Sequence, residues 1–263
     1  MRRILAAAAL LTGALTARAQ DAPPPPLSPQ CEAPAVDIAA PAPLPHLAEL
    51  LGKKPSSIRI LAIGSSSTWG VGASSRKKAY PVLLRGILES ALKGTKAEII
   101  NRGVSGEVAQ TTAERLRTAV ALDKPDLVLW QVGTNDALAR VEAGDFEDTL
   151  RSTISWLKAS DIDVMLVGLQ YAPKFARDES YTVIRAALKQ VAVEENVLYV
   201  NRFDAMQFIA KQQDAANLMS PDELHENDLG YECMAEHIGR AVIANLFVRR
   251  RDLPKPAPPA AQP

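Results

Sequence analysis

The sequence predicts one α/β domain: a doubly wound, five-stranded parallel sheet with helices on both faces. Three observations predict it. Short apolar runs alternate with segments of helical spacing between residues 58 and 247, a pattern that implies right-handed crossovers and a parallel sheet. One run, residues 126–132, is apolar almost throughout, as a central strand buried on both faces must be. The chain has 263 residues, 47% hydrophobic and 23% charged, which suits one globular domain with tails.

The elements follow in order. Residues 58–63 form a first apolar strand ending at Gly64. Residues 80–92 have helical spacing, with Leu83, Leu84, Ile87, Leu88 and Leu92 on one face. A second strand spans 97–101 and a helix spans 109–122. The central strand at 126–132 carries Trp130 into the core. A helix at 146–159, a strand at 163–169, a long helix at 179–195 and a fifth strand at 197–200 continue the alternation. The last helix spans about 229–247. In such sheets the ligand site lies beyond the carboxyl ends of the strands, so those loops are the ones to inspect.

The flanks differ in composition. Arg2 and Arg3 precede an apolar, alanine-rich stretch at residues 4–16, and Ala17-Arg18-Ala19 offers a small-x-small cleavage site. This order reads as a signal peptide over residues 1–19, and it directs the protein to the periplasm or the exterior. The apolar stretch is too short to span a bilayer comfortably, and no later stretch is long enough, so no integral membrane segment is expected after signal removal. Residues 20–55 read as a proline- and alanine-rich linker and N-terminal extension, residues 56–248 as the folded domain, and residues 249–263 as a proline-rich tail. Basic and acidic residues are equal at 30 each, which gives no reason to expect nucleic acid as a partner. Cys31 and Cys233 are the two cysteines. An oxidising compartment permits a disulfide between them; two unpaired thiols are the alternative.

Four loops fall at the ligand-binding end of the sheet: residues 64–68 (Gly-Ser-Ser-Ser-Thr), 101–107, 133–136 (Gly-Thr-Asn-Asp) and 220–227. A serine hydroxyl attacks well only when a base takes its proton, and histidine is the base with an unperturbed pKa nearest neutrality. Of three histidines, His46 lies among prolines, and His237 is expected at the surface or partly packed on the final helix. His225 lies in a loop on the expected side of the sheet. Asp222 precedes it by three residues, so one turn brings its carboxylate to the imidazole, fixing the tautomer and steadying the imidazolium. No cluster has metal-ligand spacing and no phosphate-cradling glycine loop follows a strand, so neither metal nor cofactor is expected.

The four loops together resemble the SGNH, or GDSL, hydrolase family of esterases and acyl-hydrolases. Gly64-Ser65-Ser66-Ser67-Thr68 is similar to the first block, Ser105-Gly106-Glu107 to the second, Gly133 to Asp136 to the third, and Asp222 with His225 to the fourth, continued by Asn227, Gly230 and Tyr231. The resemblance implies the flavodoxin-like sheet of that family, with Ser66 as nucleophile and Asp222 and His225 completing the triad. It also implies an oxyanion hole made by the backbone amides of Ser66 and Gly106 and the side-chain amide of Asn135. Two departures stand out. Ser65 replaces the aspartate of the first block, and Glu223 and Glu226 replace the commoner glycine and proline of the last.

Trp69 either lines the acyl pocket or covers the core, and Tyr171 borders the site by architecture; both are candidates for substrate contact. The function implied is hydrolysis of carboxylic esters, with short acyl or acetyl groups on small molecules or polysaccharides fitting an exported enzyme. Lipid and thioester substrates remain alternatives. Other readings are a non-catalytic carbohydrate-binding protein of the same fold and a sugar O-acyltransferase, which would use the same residues.

Overall fold

The computed structural model describes residues 24–212 and 217–246. The signal peptide and the C-terminal tail expected from the sequence lie outside these residues. The central sheet has six strands: β1 (Ala39–Ala40), β2 (Ser57–Gly64), β3 (Lys96–Gly103), β4 (Leu127–Gln131), β5 (Asp163–Val167) and β6 (Leu198–Val200), in the order β1-β6-β5-β4-β2-β3. The strands β2 to β6 are parallel, and β1 adds an antiparallel edge through Ala39 against Val200 and Ala40 against Tyr199. Sequence reading gave five strands. The sixth lies in the segment read as a linker, where two alanines among prolines show no alternation to mark a strand.

Ten helices accompany the sheet among the described residues: α1 (Ala35–Ile38), α2 (Pro45–Gly52), α3 (Ser66–Trp69), α4 (Tyr80–Ala91), α5 (Ala109–Asp123), α6 (Thr134–Leu138), α7 (Ala143–Ala159), α8 (Glu179–Glu194), α9 (Arg202–Ala210) and α10 (Asp228–Asn245). Side chains alternate across each strand, and the core divides accordingly. Leu61, Ile63, Val128, Trp130 and Leu166 face α5, α7 and α8 through Leu116, Leu150, Ile154 and Leu188. Ile58, Ile60, Ala62, Leu129 and Val167 face α4 and α10 through Leu84, Leu88, Met234 and Ile238. Fully burying one such side chain contributes roughly 1.5–3 kcal/mol, so the two layers lock the strand register. That register decides which residues emerge at the carboxyl edge.

The described residues before β2 carry structure of their own. A 3-10 turn at Pro29–Cys31 places Cys31 against α10, where it forms a disulfide with Cys233 across a sequence separation of 202 residues. His237, expected near the surface, is 1% exposed, and its Nε2 lies 2.7 Å from the Cys31 carbonyl oxygen. The N-terminal arm covers α10, which is why the helix flank that looked open in the sequence is buried.

Candidate active site

The loop after β2 turns directly into α3, so Ser66 stands at the first position of a short helix at the carboxyl edge of the sheet. The three consecutive serines separate by direction. Ser65 points inward and is 5% exposed; its backbone NH and its Oγ both donate to Gln131 Oε1, each at 3.0 Å. Thr68 Oγ1 donates to the same oxygen at 3.3 Å. Ser67 is buried. Only Ser66 meets the imidazole, its Oγ lying 2.9 Å from His225 Nε2. Asn101 secures α3 from the neighbouring strand: its Nδ2 donates to the Thr68 carbonyl oxygen at 2.7 Å.

The base sits on the loop leading into α10. His225 Nδ1 lies 2.6 Å from Asp222 Oδ2. The other carboxylate oxygen of Asp222 accepts three hydrogen bonds, from Ser220 Oγ at 2.7 Å and from the backbone NH groups of Leu224 and His225 at 2.9 Å each. Asp222 thus folds a local turn. Partial burial pushes its carboxyl up, but the hydrogen bonds from His225, Leu224 and Ser220 outweigh that and hold it well below the usual carboxylate range. Glu223 adopts φ 57 in this turn, a left-handed backbone that glycine takes at no steric cost. The last helix begins with Asn227, whose Oδ1 accepts from Gly230 NH at 3.0 Å.

The oxyanion candidates lie on two further loops. Gly106 has φ 85 and is exposed, with open space where a Cβ would stand; the glycine is there for its backbone conformation. Asn135 lies in α6, and its Nδ2 donates to the Glu107 carbonyl oxygen at 2.8 Å, which leaves one amide hydrogen to spare. Asp136 aligns these loops: its carboxylate accepts from Ala109 NH at 2.8 Å and from Gly133 NH at 3.1 Å. Burial pushes the Asp136 carboxyl up, opposed by those backbone donors. The Ser66 and Gly106 backbone NH groups donate to no acceptor among the described residues. They remain available to a ligand oxygen.

The structure therefore brings Ser66, His225 and Asp222 into one hydrogen-bonded line and ties Asn135 to the Gly106 loop. The two aromatic candidates have partners of their own. Trp69 is 41% exposed at the end of α3, with the Arg76 guanidinium 3.5 Å over its ring centroid. Tyr171 packs edge-on against Phe203 at 5.2 Å and lines a cavity of about 210 Å³ with Met206, Leu218 and Met219. Gln131, Asp136 and Gln170 were missed as site-shaping residues. Asp136 was within reach, being the last residue of the third block; Gln131 and Gln170 carry no local sequence signal.

Comparison with known proteins identifies the family. Residues 30–246 match the non-GDSL lipase-like family. Esterase TesA of Pseudomonas aeruginosa is 24% identical over 126 residues, covering 48% of this chain and 61% of that protein. The chain thus spans about three-fifths of that relative's length. An arylesterase of Vibrio mimicus is 23% identical over 191 residues, covering 73% of this chain and 91% of the relative. Among solved structures, a two-domain esterase active on acetylated mannans superposes with a TM-score of 0.69 at 18% identity, over 87% of this chain and 60% of the other; that likeness concerns the fold. The chain belongs to the non-GDSL lipase-like family and has the SGNH hydrolase fold.

Proposed function

We propose that this protein is an exported serine esterase that hydrolyses carboxylic esters through an acyl-enzyme on Ser66. The observation that carries the reading is the continuous line from Ser66 Oγ to His225 Nε2 at 2.9 Å and from His225 Nδ1 to Asp222 Oδ2 at 2.6 Å. His225 takes the serine proton as Ser66 Oγ attacks the ester carbonyl carbon. The carbonyl oxygen becomes an oxyanion, received by the NH groups of Ser66 and Gly106 and by the free amide hydrogen of Asn135. Asp222, held ionised by its donors, steadies the imidazolium. The intermediate collapses as His225 returns the proton to the departing alcohol oxygen. Water then attacks the acyl-enzyme, again with His225 as base, releasing the acid and restoring Ser66.

The alcohol moiety in this reading is a sugar or a small alcohol bearing a short acyl group. A solved esterase of the same fold is active on acetylated mannans, and acetylated carbohydrate is the first substrate class to test. The amino-terminal charged, apolar, small-x-small order supports export, and so does the Cys31–Cys233 disulfide, since such bonds persist in oxidising compartments. The test is to label the protein with a fluorophosphonate, digest it and map the adduct, alongside turnover of p-nitrophenyl esters of rising chain length and an acetylated polysaccharide panel. An adduct on Ser66 with fastest turnover of acetyl esters is expected. An unlabelled protein, or an adduct on Ser65 or Ser67, sinks the assignment.

A further inference from the structure

Behind the His225 loop lies a buried polar cluster that no step of the reaction uses. Arg202, at the start of α9, and Glu226, next in sequence to His225, are each 1% exposed, with Arg202 Nη1 3.6 Å from Glu226 Oε2. The Arg202 guanidinium also donates to Gln170 Oε1. Gln170 is itself 1% exposed and lies on the loop after β5. Its Oε1 accepts a second hydrogen bond, from Thr134 Oγ1 at 2.8 Å, and its Nε2 donates to the Leu224 carbonyl oxygen at 2.9 Å. The backbone oxygen of Gln170 accepts from Tyr181 OH at 2.7 Å, which fixes the loop from α8.

The sequence neighbours give the cluster its meaning. Thr134 precedes Asn135, the side-chain oxyanion donor, and Leu224 precedes His225, the base. One amide side chain therefore joins the helix that carries the donor to the loop that carries the base. Its orientation is determined: a flipped amide would set NH₂ against the guanidinium and oxygen against the Leu224 carbonyl. Stability is a poor explanation for this arrangement. A buried ion pair is often replaceable by hydrocarbon of similar volume without loss. Catalysis, in contrast, depends steeply on placement, a shift of about 1 Å costing on the order of 10²-fold in rate.

We infer that Gln170, oriented by Arg202, is a positioning residue that sets the His225 loop in register with the Asn135 helix, so that base and oxyanion donor face one tetrahedral centre. The inference rests on the esterase reading above. Its test uses the full chain, with turnover on p-nitrophenyl acetate expressed per active site titrated by the fluorophosphonate. Gln170→Met keeps the volume and removes both halves of the amide; turnover per site falls roughly 10- to 100-fold while KM stays within about 3-fold. Thr134→Val is near-isosteric and breaks the link to the donor helix; turnover falls about 3- to 10-fold, the share of one neutral hydrogen bond, with the variant still folded at the assay temperature. Thr134→Ser keeps the hydroxyl and restores turnover. If Gln170→Met does not fold, the Thr134 pair decides. Turnover per site unchanged in folded Gln170→Met or in Thr134→Val overturns the inference, as does a Thr134→Ser variant that loses as much as Thr134→Val. A wild-type protein neither labelled nor active sinks the esterase reading, and the inference with it; a labelled, active wild type with unaffected variants sinks the inference alone.

Discussion

Removing the Cys31–Cys233 disulfide should destabilise the fold strongly and leave the reaction intact. The bond closes a loop spanning a sequence separation of 202 residues. In the chain-entropy treatment a cross-link over that length restricts the unfolded chain by roughly 5 kcal/mol, near the top of the range found for native disulfides. The docked arm keeps other ties to α10. Ser28 NH donates to Glu236 Oε2 at 2.8 Å, Arg240 Nη1 donates to the Pro25 carbonyl oxygen at 3.0 Å, and His237 meets the Cys31 carbonyl oxygen. These hold the arm in the folded state, so most of the loss arises from the greater freedom of the unfolded chain. For a domain of this size about 2–4 °C accompanies each kcal/mol, which gives a fall of roughly 10–20 °C. The assay is calorimetry of the Cys31→Ala/Cys233→Ala double variant beside the oxidised wild type, with thiol titration to verify the bond. Turnover per titrated site at 20 °C should match wild type, because no described residue of the arm hydrogen-bonds to the side chain of Ser66, His225 or Asp222. A melting temperature within about 2 °C of wild type would refute the entropic argument. Lost turnover in a folded variant would refute the separation of arm from site.

Three further outcomes can be measured. Asn135→Ala should lower turnover by about 10²–10³-fold with little change in KM, the usual effect of losing one oxyanion donor; steady-state kinetics with unchanged turnover would remove Asn135 from the site. Ser65→Asp, which restores the commoner residue of the first block, should destabilise by about 1–3 kcal/mol, because a buried carboxylate would face Gln131 Oε1, an acceptor already serving three donors; a urea midpoint equal to wild type would contradict that hydrogen-bond assignment. His237 has its imidazole pKa held below the ordinary value by burial. Its unfolded state therefore binds the proton first, and stability is lost as pH falls below about 6.5, by about 1.4 kcal/mol per pH unit until the folded-state value is reached. Urea midpoints at pH 7.5 and 5.5 should show this slope in wild type and a shallower one in His237→Gln; equal slopes would exclude His237 as the source.

Much of the architecture was legible from local pattern. Strands such as Ser57–Gly64 and helices such as Tyr80–Ala91 announce themselves through periodicity, since each element must bury a face or a stripe. The four site loops were legible too, because turns and helix starts demand particular residues: Gly106 for its positive φ, Asn227 for its cap. Elements whose reasons lie elsewhere in the chain were not. The edge strand Ala39–Ala40 exists because β6 offers an unpaired edge, and α9 buries Arg202, Phe203, Met206 and Ile209 against several neighbours, which leaves no single apolar stripe to read.

The sequence by itself determined the sheet, the order of its loops and the side chains capable of serine chemistry, since these depend on residues near one another in the chain. The tertiary structure alone decided the rest. It turned Ser65 toward Gln131, buried Ser67 and left Ser66, the serine the resemblance had already picked, beside His225; it joined Cys31 to Cys233 and covered His237 with the arm. It also linked Thr134 to Leu224 through Gln170. Each of these pairings spans tens to hundreds of residues. A hydrogen bond or disulfide across such a distance forms only when the packed sheet has already brought its partners together, so no local pattern records it.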